Sequence, residues 1–273
     1  MPTTELIAAP VRSEIQARLQ QIETEEGVRL FFACESGSRA WGFPSADSDY
    51  DVRFLYAHSP DWYLSIDLER KRDVIERPIS DELDLSGWDL RKALQLFRKS
   101  NPPLIEWLQS PIVYREQTEV AARFRALIPR HFSPQASLHH YLSMARSTYR
   151  HHLNGEYVRL KKYFYVLRPL LAVQWIEADL GPVPMEFDTL VNHLVTDAAL
   201  KASIQQLLAA KRAGEELDQG PRIPALSDFV EHELNRLESG QLDHHRPSPD
   251  VEELNRFFRS ALDTLWNDVP RGL

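Results

Sequence analysis

The chain has 273 residues, of which 43% are hydrophobic and 26% charged, a balance that fits a globular protein of one large domain or two ordinary ones. A net charge of −8 argues against a dedicated nucleic-acid coating protein, and a lone cysteine excludes an internal disulfide framework or a cysteine zinc cluster. No apolar run reaches the length of a bilayer span and the N-terminus carries no charged-then-apolar signal, so a cytoplasmic location without a membrane partner is expected.

Residues 12–26 place Ile15, Leu19 and Ile22 at helical spacing, with Ser13 near the start and Gly27 as the stop. The run 28–34 reads as a strand and holds Cys34 as a small core side chain. A polar turn (35–48) leads to a second strand, Asp49 to Tyr56. Residues 72–76 and 82–88 read as a hairpin whose last strand shows Glu82, Asp84 and Ser86 on one face and Leu83 and Leu85 on the other. Asp81 is expected as a turn residue, and Asp89 as the cap of a helix with Leu90, Ala93, Leu94 and Phe97 inward. After Asn101-Pro102-Pro103, a short helix carries Glu106 and Trp107, read as packing between two halves. Beyond Tyr114 strand signals stop, and helices are predicted over 116–127, 134–153, 157–180, 187–194, 197–212, 226–237 and 249–266. The connectors are 181–184, 220–224 and 244–249, the last holding His244 and His245. The expected fold is α+β: a small mixed-sheet domain at 1–115, then an all-helical domain at 116–273.

The chemistry concentrates in the turn between the first two strands. Asp49 and Asp51 are alternate residues and point the same way. Two same-side carboxylates suit a hard cation, Mg²⁺ most simply, and the Gly37-Ser38 turn before them offers backbone N–H groups and a hydroxyl to a phosphate. Two-metal phosphoryl-transfer sites recruit a third carboxylate, and Asp84, on a later strand, is the natural one, with Glu82 and Ser86 as weaker candidates. Asp84 can also take the proton of an attacking hydroxyl. Arg39 either contacts a phosphate or braces the turn against Asp47. Arg53 either neutralises the aspartates or forms a structural ion pair. Trp41 and Phe43 read as a hydrophobic clamp on the loop.

Further on, Lys161, Tyr165 and Arg168 fall on one helical stripe, beside the apolar stripe Leu160, Phe164, Leu167 and Leu171. Two cations flanking a tyrosine suit a triphosphate and its base or sugar, with Pro169 expected to kink the stripe toward the cleft. They belong to a window, 139–168, that holds six Lys/Arg and one acid, opposite to the balance of the whole chain. Its histidine pairs, His139-His140 and His151-His152, are too far apart for a zinc site and read as a polar face.

Gly-Ser, a loop of about ten residues, Asp-x-Asp on a strand and a third carboxylate on a later strand resemble the DNA polymerase β-like nucleotidyltransferases. The stretches 35–42, 48–53, 88–94, 101–108 and 161–170 are similar to one branch, the RlaP-like predicted nucleotidyltransferases of an RNA-repair pathway. The resemblance implies a palm-like catalytic domain and transfer of a nucleotidyl group from an NTP, with Mg²⁺ or Mn²⁺ on Asp49, Asp51 and Asp84. It implies nucleotide binding by Gly37, Ser38, Arg39, Lys161, Lys162, Tyr165 and Arg168. ATP is the expected NTP and an RNA 3′ end the expected acceptor. The alternatives are AMP transfer onto a protein side chain, as in toxin–antitoxin transferases, and a non-catalytic nucleotide-binding partner protein.

Overall fold

The computed structural model describes residues 7–80, 82–214, 217–239 and 250–267. Asp81 and the His244-His245 connector lie outside the described residues. Helix α1 (Ala9–Glu26) leads into strand β1 (Arg29–Glu35), a single helical turn α2 (Gly37–Ala40) and strand β2 (Tyr50–Ala57). The short helix α3 (Pro60–Tyr63) precedes β3 (Val74–Glu76) and β4 (Leu83–Asp89). Then come α4 (Leu90–Arg98), α5 (Pro102–Leu108), β5 (Val113–Glu116) and α6 (Thr118–His131). Polar caps begin the helices where the sequence changes period: Asp89 accepts from the N–H of Arg91, and Asn101 from that of Leu104.

The five strands form one sheet in the order β3-β4-β2-β1-β5, with β2 and β4 parallel and the other neighbours antiparallel. The parallel register sets Asp51 beside Asp84, Arg53 beside Ser86 and Leu55 beside Trp88. Side chains alternate along a strand, so Val52, Phe54 and Tyr56 bury against α1 while Asp51, Arg53 and Leu55 project from the opposite face.

The helical part begins with α7 (Pro134–His152) and continues through β6 (Tyr157–Arg159), α8 (Lys162–Glu177), α9 (Phe187–Leu194), α10 (Ala198–Arg212), β7 (Gln219–Pro221) and α11 (Pro224–Ser239). These helices share a core centred on α8. Helix α12 (Val251–Trp266) returns to the sheet, where Leu254, Phe257, Ala261 and Leu262 pack with α4, α5 and α6. The change from strands to helices near residue 115 therefore does not coincide with the division of the cores. Among the described residues no helix is long and apolar enough to cross a membrane.

Three elements depart from the sequence expectation. Strand β5 adds a fifth, edge strand on β1, where only four residues of weak alternation announce it. Strands β6 and β7 pair antiparallel inside the helical part, so the helix expected from Tyr157 starts only at Lys162. Gly220 lies close under Leu160, whose Cδ1 would stand 2.9 Å from a Cβ at that position.

Helix α8 carries Arg168 inward, not toward a cleft. Its guanidinium is 2% exposed, bonds Glu106 of α5 at 2.9 Å and the carbonyls of Met185 and Pro184, and stacks 4.9 Å from the Trp41 ring. Tyr141 of α7 donates to the same Glu106 oxygen at 2.5 Å. The binding role expected for Arg168 is corrected accordingly: it lies within a stretch of α8 buried from Val166 to Val173, and its charge is met by Glu106. This buried pair ties the two cores together. Glu106→Leu is expected to cost about 3–5 kcal/mol by stranding the Arg168 charge. The double replacement Glu106→Leu/Arg168→Met should be less destabilised than that single variant, as chemical denaturation would measure.

Candidate active site

The acidic wall is built by β2, β4 and the turn between β1 and β2. Arg53 reaches from β2 to Asp51 Oδ1 at 2.9 Å and Asp84 Oδ2 at 2.7 Å, and also donates to the Asp84 carbonyl at 2.9 Å. One guanidinium thus holds the two neighbouring carboxylates apart in charge and together in space. Asp51 still has its pKa raised, first by burial and then by Asp84 and Asp49, with Arg53 and Arg39 opposing. Gly37 touches this carboxylate directly: its φ is +58, and a Cβ there would lie 2.0 Å from Asp51 Oδ2. Only glycine lets the turn lie against Asp51.

Glu35 stands behind the wall. Its carboxylate accepts the N–H of Asp51 at 2.8 Å and the hydroxyl of Tyr114, and burial pushes its pKa up to about 7. It fixes the start of β2 from underneath.

Across a cleft of about 520 Å³, the helical part supplies a basic wall. Ser38, Ser45, Asp47, Asp49 and Asp51 line one side. Lys161, Lys162, Tyr165 and Lys211 line the other. Lys162 lies 4.6 Å over the Tyr165 ring, Lys161 is 3.6 Å from Asp218, and Lys211 donates to Ser45 Oγ at 3.3 Å. The pKa values of Lys162 and Lys211 are lowered, in both cases chiefly by desolvation. Asp47 is held below its ordinary value by the Ser45 hydroxyl, its own backbone, and then Lys211 and Lys161. Tyr165 is pushed up by burial and by Asp51 and Asp49. The two walls therefore sense each other's charge.

The structure brings Ser38, Asp49, Asp51, Lys161, Lys162 and Tyr165 to this one cleft, with Gly37 against Asp51 and Asp84 beside it in register. It places Arg39 inside the turn, bonded to the carbonyls of Ser48 at 2.6 Å and Asp49 at 3.2 Å and stacked 3.8 Å from the Tyr50 ring. Arg39 is a brace. Arg168 is elsewhere, as described. Glu82 sits outside β4 with a left-handed φ of 63, and Ser86 faces Arg53 one step deeper than Asp84. Lys211, Ser45 and Glu35 were not expected from sequence. Lys211 is an ordinary last-turn cation of a long helix, and nothing in its spacing links it to a turn 166 residues earlier.

Asp49, Asp51 and Asp84 offer only hard carboxylate oxygens, a donor set whose chemistry fits Mg²⁺ or Mn²⁺. Among the described residues no three His, Cys, Asp or Glu side chains already stand at metal-holding spacing. Arg53, between Asp51 and Asp84, supplies the positive charge there.

A model of the family described as "RlaP: RNA repair pathway DNA polymerase beta family" matches residues 11–260. The Bacillus subtilis (strain 168) protein called "Uncharacterized protein YcgL" is 49% identical over 259 residues, covering 94% of this chain and 99% of that protein. A nucleotidyltransferase-like protein from Exiguobacterium sibiricum 255-15, known from a crystal structure, aligns over 93% of this chain and 94% of its own at 12% identity, with a TM-score of 0.29. That last likeness is too slight to build on.

Two tests address the wall itself. Gly37→Ala should destabilise the protein by about 1–3 kcal/mol through left-handed strain and collision with Asp51. Added to Asp51→Ala, the same change should cost less, a coupling that a double-mutant cycle in urea detects. Glu35 gives a pH signature. Its folded pKa lies above its ordinary value of 4.5, so its stabilising effect is complete below about 4.5 and lost as pH rises through about 7. From pH 5 to pH 8 the wild type should lose about 2–3 kcal/mol relative to Glu35→Gln, measured by denaturation at each pH.

Proposed function

The chain belongs to the RNA repair pathway DNA polymerase beta family, and from that premise we propose that it transfers a nucleotidyl group from an NTP to an acceptor hydroxyl in a magnesium-dependent reaction. The observation that carries this reading is the cleft in which Asp49 and Asp51 face Lys161, Lys162 and Lys211. Opposite walls of that kind suit a ligand that carries phosphates on one side and a hard cation on the other. ATP is the nucleotide for which we expect the site to serve, and the 3′ hydroxyl of an RNA the acceptor.

In this reading the triphosphate lies along the basic wall. The desolvated ammonium groups of Lys162 and Lys211 regain with it the counter-charge that the free cleft lacks. Tyr165, edge-on to Trp41 at 5.4 Å between ring centroids, offers its face to the base or sugar. Ser38 lines the cleft beside Asp51 and donates its hydroxyl to a phosphate oxygen. The acceptor oxygen attacks the α-phosphorus, the bond to the bridging oxygen breaks, and pyrophosphate leaves. Asp84 takes the acceptor's proton. Asp49, Asp51 and Asp84 would hold Mg²⁺, which when bound neutralises charge on the phosphates. Arg53 acts for Asp51 and Asp84 in the free protein, and Arg39 and Glu35 hold the turn and the head of β2 in place.

Incubation with each α-labelled NTP, Mg²⁺ and total RNA tests the proposal. Label should enter RNA, and Asp49→Asn/Asp51→Asn should reduce transfer by about 10²–10³-fold or more with an unchanged melting temperature. Lys211→Gln should raise the KM for the nucleotide about tenfold, the equivalent of one charge-assisted hydrogen bond. Label in polypeptide instead of RNA overturns the acceptor, and absence of transfer with any NTP overturns the reaction.

A further inference from the structure

A second polar pocket, of about 410 Å³, opens between the end of α7 and α11, apart from the cleft. Three arginines line it: Arg146 and Arg150 from adjacent turns of α7, and Arg222 just after β7. Two carboxylates answer them, so the pocket keeps a net positive charge. Glu231 is committed to Arg222 and to the Tyr149 hydroxyl. Glu238 reaches only within 3.8 Å of Arg146, whose Nε is buried and has no hydrogen-bond partner. Arg150 is exposed and makes no ion pair or hydrogen bond with the described residues. The Arg146 side chain is nonetheless 36% exposed, so Arg146 and Arg150 both keep guanidinium surface that a ligand oxygen can meet. Arginine forks converging from two elements match the tetrahedral oxygens of a phosphate.

The pocket is joined to the cleft by the β6–β7 pair. Asp218 and Lys161 line the cleft at one end of those strands, and Arg222 and Asn154 line the pocket at the other. Four steps of extended chain, about 13 Å, run from Asp218 to Arg222. The surface between is basic. Arg159 on β6 has no ion pair among the described residues, and Lys162, Arg159 and His151 all act on His152, holding its pKa down after desolvation. The α7 and β6 side of this path belongs to the window of reversed charge in the sequence, and Arg222 joins it from just after β7.

We propose that the Arg146–Arg150–Arg222 pocket is an acceptor-strand site, which takes a backbone phosphate of a single-stranded nucleic acid whose end lies in the cleft. This rests on the nucleotidyl-transfer reading and deepens it: the acceptor is held by its phosphates at a distance from the reacting hydroxyl. Backbone contacts of this kind position a strand without reading its sequence.

Fluorescence anisotropy with a labelled single-stranded RNA of about 12 nucleotides tests it. Binding of a fluorescent ATP analogue is followed in parallel. Arg146→Gln/Arg150→Gln should weaken oligonucleotide binding at least about tenfold and lower the slope of log K against log salt by about 1.4, for two lost phosphate contacts. Nucleotide binding and melting temperature should not change. Arg150→Lys in place of Arg150→Gln should restore part of the affinity, which separates charge from folding. Unchanged oligonucleotide affinity and salt slope in the double variant overturn the acceptor-strand site. So does a wild type that binds the ATP analogue but no oligonucleotide, and that result leaves nucleotidyl transfer standing. Failure to bind the ATP analogue counts against the transfer reading instead. If inorganic phosphate occupies the pocket, shown by chemical shifts of the arginine side chains, and the oligonucleotide does not compete, the pocket is a small-anion site and the proposal falls.

Discussion

Everything in the candidate site depends on how the turn between β1 and β2 is held, against the sheet at one end and against the helical part at its middle. At one end Gly37 lies directly against the Asp51 carboxylate, which only a residue without Cβ permits. Near its middle Phe43 enters the core of the helical part, stacked 4.7 Å from Phe164 and edge-on to Phe187. The backbone reinforces this, since the N–H of Phe187 donates to the Trp41 carbonyl at 2.9 Å. A buried phenylalanine contributes about 1.5–3 kcal/mol on its own. Its larger consequence is geometric. The turn that carries Ser38 and Asp49 cannot move relative to α8 and α9 without opening a cavity in a close-packed core.

The Glu106–Arg168 pair performs the second half of that task. It joins α5, beside the sheet, to α8, and Arg168 stacks on the same Trp41 that precedes Phe43. A buried ion pair is weak evidence for stability, because desolvation opposes the attraction. It is strong in direction, however: Glu106 Oε1 accepts from both Arg168 and Tyr141, and carbonyls of Pro184 and Met185 complete the Arg168 fork. The pair therefore sets the angle at which α8 presents Lys162 and Tyr165 to the aspartates.

The reach of the sequence followed the range of the forces involved. Local signals were readable: the Asp-x-Asp alternation, the Asp89 cap, the run of helices from 134 to 212, and the aromatic clamp on the turn. The position of Asp84 beside Asp51 was also legible, because a polar face on a later strand has few ways to join the same sheet. What escaped was set by partners far along the chain. Arg168 shares its helical stripe with Lys161 and Tyr165, and no pattern on that helix reveals that Glu106 waits for it 62 residues earlier. Lys211 reaches Ser45 over a still longer separation. Strand β6 is three residues long and its pairing with β7 is a tertiary event, so it reads as the start of the helix that follows.

The cleft's charges are compensated in the free protein, but by partners of unequal commitment. Arg53 serves Asp51 and Asp84 from within the strand and is held by two backbone carbonyls as well, so it costs little freedom to keep there. The lysines have weaker company: an aromatic face for Lys162, a hydroxyl for Lys211, and a mostly exposed Asp218 for Lys161. Exposed ion pairs of that last kind contribute less than about 1 kcal/mol. The acidic wall is thus preorganised, and the basic wall is left partly unsatisfied. In a site for a polyanion this asymmetry is the useful one, because the groups that must meet the ligand are those whose present partners are cheapest to leave.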